Sequence, residues 1–446
     1  MALTGIQIFK LLPGTNCKKC GSATCLAFAM NLASGKAELD SCPDVKPESR
    51  EKLSAASAPP IRPVVVGYGD TAVKVGGETD QFRHEKTFFN PTGIAAIVED
   101  SKSADEIAAT VKRYQKLQYA RVGLNLRPEL VVVKGGANLA AAAKAVIDNS
   151  DLSVILYSED VAALKAATEA LAGKNPLIGP ATKANCAQVA ELAVAAKVPV
   201  WVKAANLDEV AELTKALGAA GVKDIVIDSG ARTPKQVVQD SIAIRRAALV
   251  GQNRDYGFGT IAFPAEITPN LPMQVAIASH LIAKYAGIVV LSDFDGAVVF
   301  PLLLARLNIF TDPQRPMTVV EGIYPIGNPD ENSPVLVTTN FSLTYFIVSG
   351  EVEGSRVPSW LLIKDSEGLS VMTAWAAGKF SGDDVGMFVG KKSGILEKIK
   401  HKSVIIPGYA AAIMGDMEEE LSGWKVAIGP REAAHLPKFL KEFKVD

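Results

Sequence analysis

Four of the five cysteines in this 446-residue chain, Cys17, Cys20, Cys25 and Cys42, fall within its first 42 positions. Their spacing is C-x2-C-x4-C-x16-C. Thiolates are soft donors suited to iron–sulfur clusters or to zinc. Structural zinc sites usually present two short C-x2-C pairs. Here there is one such pair, and three cysteines crowd into nine residues. The pattern favours a [4Fe–4S] cluster, with zinc as the alternative. A disulfide framework belongs to small secreted domains and fits poorly here. The fifth, Cys186, stands alone in a helical pattern and reads as an inert core thiol.

The remaining chemistry is less concentrated. His84, His280, His401 and His435 share no metal-binding spacing, and His401 and His435 read as exposed. There is no H-E-x-x-H, no Walker loop and no Ser–His–Asp pattern. Asp228, Asp293, Lys203 and Asn206 fall at strand ends, where barrel enzymes keep catalytic groups. Helix capping and loop hydrogen bonding are the stronger readings, so no catalytic residue is assigned. The loop DSEGLSVMTAW (365–375) is small and polar, with Ser370 and Thr373. Small residues at a helix start let a large flat ligand approach the backbone.

The elements that position these residues follow from the apolar pattern. Residues 1–57 form a small unit, closed by the Ser-, Ala- and Pro-rich stretch SAASAPPIRP (54–63), which reads as a linker. Short apolar runs then alternate with amphipathic helical patterns. The runs lie at 63–69, 93–100, 130–136, 152–158, 175–181, 198–204, 223–230 and 287–295. Ser103 with Glu106 has capping-box spacing, and Asn206 and Gly221 are placed to start and stop a helix. Continuous apolar strands between helices imply a parallel sheet covered on both faces. Eight units suit a (β/α)8 TIM barrel over residues 58–320. An open doubly wound sheet is the competing arrangement. The stretch 311–334 holds five prolines and reads as a second boundary. Beyond it, strand candidates at 335–339, 359–365, 402–408 and 424–429 alternate with helices. Residues 325–446 therefore read as a Rossmann-like domain, with ligand loops beyond its strand ends. The fold class is α/β throughout.

Net charge is −1, so nothing draws the chain as a whole toward nucleic acid or an anionic membrane. The longest apolar run, Ala297 to Ala305, is too short to span a bilayer. The N-terminus lacks the pattern of a signal peptide. A cytoplasmic location is expected.

Several blocks, in this order, carry a resemblance. LTGIQIFKLLPGTNCKKCGSATCLAFAMNLASGKAELDSCP comes first. VLVTTNFSLTYFIVSGEVE, GLSVMTAWAAGKFSG and VIIPGYAAAIMGDMEEELSGWKVAIGPREAAHLP follow near the C-terminus. Together they resemble the large (gamma) subunit of the corrinoid iron–sulfur protein of the acetyl-CoA decarbonylase/synthase system. The resemblance implies a methyl carrier of the reductive acetyl-CoA (Wood–Ljungdahl) pathway, and not a stand-alone enzyme. Its corrinoid cobalt would take methyl from methyltetrahydrofolate through a partner methyltransferase and deliver it to acetyl-CoA synthase. It implies a heterodimer with a smaller barrel subunit. It also implies a [4Fe–4S] cluster on Cys17, Cys20, Cys25 and Cys42 that reductively reactivates the cobalt. Corrinoid contacts carry over onto Asn340, Phe346, Ser370, Val371, Met372, Thr373 and Ala433. The D-x-H-x-x-G motif of other corrinoid domains is missing, so the cobalt is expected without a protein histidine ligand.

Overall fold

The computed structural model describes residues 5–33, 37, 39–46, 48–50, 53, 59–88, 90–121, 123–312 and 316–445. Residues 54–58 of the expected linker lie outside the described residues. The chain divides into two compact units, one comprising 1–118 and 127–310, the other 119–126 and 311–446.

In the first unit, the cysteine-rich segment carries the helices Gly5–Phe9 and Cys25–Ala33. A small apolar cluster of Ile8, Leu12, Phe28, Ala29, Leu32, Val45 and Leu53 also takes in Cys25 and Cys42. Next comes an antiparallel hairpin of β1 (Val64–Val66) and β2 (Val73–Val75). The barrel begins with β3 (Gly93–Glu99). A short hairpin, β4 (Tyr119–Arg121) and β5 (Leu124–Leu126), leaves it and belongs to the second unit. The barrel then continues through β6 (Leu130–Lys134), β7 (Ser153–Tyr157), β8 (Leu177–Ala181), β9 (Val200–Lys203), β10 (Ile225–Asp228), β11 (Gly259–Ala262) and β12 (Ile288–Leu291). These eight strands close on themselves, all parallel, with β12 against β3. The closed barrel, and not the open sheet, is the outcome.

Two of the sequence assignments need correction. The run at 63–69 is not a barrel strand. Val64, Val66, Val73 and Val75 pack into the barrel's interior cluster while Val65 is exposed. That alternation marks a hairpin with one buried face. Val73 and Val75 lie against Gly93, Gly259 and Gly287, at the amino ends of the strands. The hairpin thus closes the end opposite the one where barrel enzymes carry their active sites. The strand that completes the eight is β11, whose apolar run is interrupted by Gly259 and Thr260. Trp201 fills the barrel's centre so closely that a Cβ on Gly179 would meet its backbone oxygen and its ring.

Helix ends follow the capping rules. Ser103 and Glu106 form the capping box of helix Ala104–Gln115. Asn206 accepts the Glu209 N–H at the start of Leu207–Ala219, and Gly221 stands just beyond its end with positive φ.

The second unit is built on a five-stranded mixed sheet of β13 (Gly322–Ile326), β14 (Val335–Thr339), β15 (Ser359–Lys364), β16 (Ser403–Ile406) and β17 (Lys425–Ile428). The order is β13-β15-β14-β16-β17, with only β13 antiparallel. All four expected strands are present. The fifth, β13, lies inside the Pro-rich stretch 311–334, which is therefore not only a boundary. Pro325 is tolerated because β13 is an edge strand.

Candidate functional site

The loop from Gly14 to Gly21 turns Gly14, Asn16, Lys18 and Gly21 to positive φ, between 48° and 78°. Such alternation curls successive backbone N–H groups into a concavity that favours anions, iron–sulfur clusters included. Cys17 and Cys20 sit in this loop, exposed and half-buried, while Cys25 and Cys42 are only 7% and 3% exposed. All four thiols are free of disulfides. Asn16 ties the loop to helix Cys25–Ala33. Its Oδ1 accepts the Cys25 N–H at 2.7 Å, and its own N–H donates to the Cys25 Sγ at 3.4 Å. The Thr24 hydroxyl accepts the Ala27 N–H at 3.1 Å. Two of the helix's orphan donors are thus satisfied. From the far side, Asp44 accepts from the Cys17 thiol at 3.5 Å and pairs with Lys19 at 3.0 Å. The Lys19 ammonium holds the Asp44 carboxyl below its usual range. Arg50 donates to the Cys42 carbonyl at 3.3 Å.

Burial pushes the Cys42 thiol up, and the other three cysteines push in the same direction, against the Asp44 backbone N–H. Cys25 and Cys42 lie in one apolar cluster with Cys20 packed against it, and Cys17 bonds to Asp44, two residues beyond Cys42. Among the described residues, no three His, Cys, Asp or Glu side chains are grouped to hold a metal ion.

In the second unit, β14 is followed by β15 on one side, while β16 and β17 lie on the other. The gap between β14 and β16 is thus a topological switch point, where open α/β sheets bind ligands. A cleft of about 260 Å³ opens there. Leu336 and Thr338 of β14, Ile347 of helix Ser342–Ser355, Tyr409, Val371 and Ala433 line it. Two expected contacts, Val371 and Ala433, are thereby brought to one cavity. Thr338 is 2% exposed and its hydroxyl has no hydrogen-bond partner among the described residues.

The other expected contacts are placed differently. Asn340 is buried, and its Oδ1 accepts from the Ser366 N–H at 3.0 Å, the Ser366 hydroxyl at 2.9 Å and the Gly368 N–H at 3.0 Å. Its Nδ2 donates to Asp365 at 2.7 Å. It shapes the loop that leads to Ser370. The Ser370 and Thr373 hydroxyls lie 3.1 Å apart, with Met372 exposed beside them. Phe346 packs under the Arg121 guanidinium, 4.4 Å from ring centroid to Cζ, and against Tyr345. Sequence reasoning missed Asn16, Thr338 and Arg121. The threonine pair ending an otherwise apolar strand was the one available signal.

His401 is not exposed as expected. It is half-buried, with Nε2 3.0 Å from the Ser333 carbonyl and Nδ1 accepting the Ser403 N–H at 3.2 Å. Cys186 is half-buried rather than core.

At the carboxyl mouth of the barrel, Asp228 takes Arg232 in a two-point bond at 2.8 and 3.0 Å. Arg232 also donates to Glu266 at 2.7 Å. Glu266 accepts from the Tyr157 hydroxyl at 3.0 Å and pairs with Lys134 at 3.4 Å. Lys203 donates to the same Tyr157 hydroxyl at 3.4 Å. Burial pulls Glu266 up, but the Arg232 charge and hydrogen bond, the Tyr157 hydroxyl and the Lys134 charge together outweigh it, and its carboxyl lies below the usual range. Asp293 is held by Arg113 at 2.7 Å and by the Tyr114 hydroxyl. The strand-end carboxylates are engaged in internal bonding, and Asn206 caps a helix.

Among the described residues no helix is long and apolar enough to cross a membrane. A family model described as "CO dehydrogenase/acetyl-CoA synthase delta subunit" matches residues 63–440, and one described as "Putative Fe-S cluster" matches 12–43. The corrinoid/iron-sulfur protein large subunit of Moorella thermoacetica is 43% identical over 99% of both chains. The acetyl-CoA decarbonylase/synthase complex subunit gamma of Methanothermobacter thermautotrophicus is 34% identical, again over 99% of both. That of Methanopyrus kandleri is 35% identical over 99% of this chain and 98% of its own. Matches that run end to end show that the chain belongs to the family of corrinoid/iron-sulfur protein large subunits and acetyl-CoA decarbonylase/synthase gamma subunits.

Proposed function

We propose that this chain is a methyl-group carrier of the reductive acetyl-CoA pathway, organised as a cluster domain (1–57), a barrel (58–320) and a Rossmann-like corrinoid domain (325–446). The observation that carries the reading is the switch-point cleft, which gathers Val371 and Ala433 beside the unpaired Thr338 hydroxyl. About 260 Å³ is less than a drug-sized ligand needs. The cleft would therefore hold a side arm of a corrinoid, with Ser370, Met372 and Thr373 as further residues that would hold the group. Asn340 shapes the loop that leads to Ser370, and Phe346 would border the group from the helix. The cysteine-rich segment fits a [4Fe–4S] cluster by its donors, four free thiols, and by the left-handed turns of its Gly14–Gly21 loop.

When bound, the corrinoid supplies a cobalt centre for methyl transfer and the cluster a one-electron store for its reactivation. The chain's own residues hold and orient these groups. Cys17, Cys20, Cys25 and Cys42 ligate the cluster. The cobalt would be held without a protein histidine ligand, a reading supported by His401 being bonded within the fold and His435 starting the last helix. An electron-rich cobalt favours that arrangement. The methyl donor is a methyltetrahydrofolate-dependent methyltransferase, the acceptor is acetyl-CoA synthase, and a smaller barrel subunit completes a heterodimer. The chain works in the cytoplasm. Its barrel is a scaffold, because its mouth is filled by the Asp228–Arg232–Glu266 network.

The test is to isolate the complex anaerobically, quantify iron, cobalt and zinc, and follow labelled methyl from methyltetrahydrofolate to acetyl-CoA synthase. The expected result is four irons and one corrin per chain, with label passing through this chain. A colourless, zinc-loaded protein, or methyltetrahydrofolate bound by this chain alone, would overturn the reading.

A further inference from the structure

The cluster loop and the helix that carries Cys25 are joined by one residue that is not a ligand. Asn16 precedes the first cysteine and has a φ of 48°. Few side chains adopt that conformation, and asparagine is among the few that do. Its Oδ1 accepts the Cys25 N–H at 2.7 Å, and its N–H points back to the Cys25 Sγ at 3.4 Å. The two bonds are reciprocal. The side chain fixes the loop against the helix start, and that fixing aims the backbone N–H at the sulfur. Cys25 is buried, so water does not compete for the sulfur.

Hydrogen bonds to ligand sulfurs, together with burial, set the potential of an iron–sulfur cluster. A donor stabilises the reduced state more, because that state places more negative charge on sulfur. We propose that Asn16 is a positioning residue that raises the reduction potential of the cluster by holding its N–H on the Cys25 Sγ. This inference rests on the cluster reading given above.

The variant Asn16→Gly keeps the left-handed backbone and removes the side-chain clamp. In the full chain loaded with iron and sulfide, it is titrated anaerobically and followed by EPR of the reduced cluster. The expected result is a cluster about tenfold harder to reduce, a midpoint about 59 mV lower for one electron, at unchanged iron content. An unchanged midpoint overturns the proposal. If the variant does not retain iron, the wild-type chain decides. With asparagine labelled at its backbone nitrogen with nitrogen-15, pulsed EPR should detect that nucleus coupled to the reduced cluster. No coupling overturns the proposal. A wild-type chain that holds no iron–sulfur signal at all would instead overturn the cluster reading.

Discussion

Asn340 Oδ1 accepts both the backbone N–H and the hydroxyl of Ser366, at 3.0 and 2.9 Å. With the Gly368 N–H as a third donor, one side-chain oxygen organises the turn after β15. Asn340→Ala strips these buried donors of their acceptor. An unsatisfied buried polar group costs about 1–3 kcal/mol. The second unit should lose about 2–3 kcal/mol in denaturant unfolding followed by tryptophan fluorescence. Asn340→Asp should retain the acceptor but set a carboxylate against Asp365, which lies 2.7 Å from Nδ2. Its defect should therefore shrink as pH is lowered.

The barrel mouth makes a prediction of opposite character. Despite burial, which favours the neutral form, Arg232 by charge and hydrogen bond, with Tyr157 and Lys134, holds the Glu266 carboxyl below its ordinary value of 4.5. A carboxyl depressed in the folded state binds its proton more readily when unfolded. Its stabilisation is complete above the ordinary value and is lost as pH falls through the depressed one. Wild type should exceed Glu266→Gln in stability at neutral pH, and the gap should close as pH falls below the ordinary carboxyl value. Thermal unfolding across pH measures this. A gap that widens in acid would show that Glu266 is not held by Arg232.

Much of this was legible in the sequence because local rules and tertiary packing agreed. Ser103 and Asn206 start helices, and seven of the barrel strands are apolar runs between such helices. Legibility failed where long-range packing gave an element its meaning. Val64 and Val66 look like a buried strand because they are buried, but against the end of the barrel. β11 is poor in apolar character, and it survives because both neighbours pair with it. The cysteines identified themselves by type and spacing. Asn16 and Thr338 did not, since their significance lies in partners nine residues away or in a missing partner.

Cys20 lies half-buried in the loop, so Cys20→Ala should disturb the cluster and spare the rest of the fold. Protein reduced beforehand should transfer methyl at close to the wild-type rate. Reactivation by a low-potential electron donor should be largely lost. Measuring both in the same preparation separates the roles, and equal loss of both would contradict the division of labour.

Thr373 is exposed, and its hydroxyl is engaged only weakly, 3.1 Å from Ser370. If it faces the lower side of the cobalt, Thr373→His should offer a nitrogen there. The Co(II) EPR spectrum of the variant should then show nitrogen splitting, and an unchanged spectrum would place Thr373 elsewhere.

The Thr338 hydroxyl gives two effects of opposite sign. It is buried on the cleft side of β14 and makes no hydrogen bond among the described residues. Leaving such a group unpaired costs about 1–3 kcal/mol. Thr338→Val keeps the shape and removes the hydroxyl. The chain without corrinoid should therefore become more stable, by about 1 kcal/mol. If the hydroxyl pairs with a polar atom of the corrinoid side arm, the same change should weaken corrinoid retention, by about tenfold for a bond of that strength. Unfolding of the corrinoid-free chain and equilibrium release of corrinoid from the loaded chain read the two effects separately. A variant that gains stability and keeps its corrinoid would show that the cleft is a packing defect and not part of the binding site.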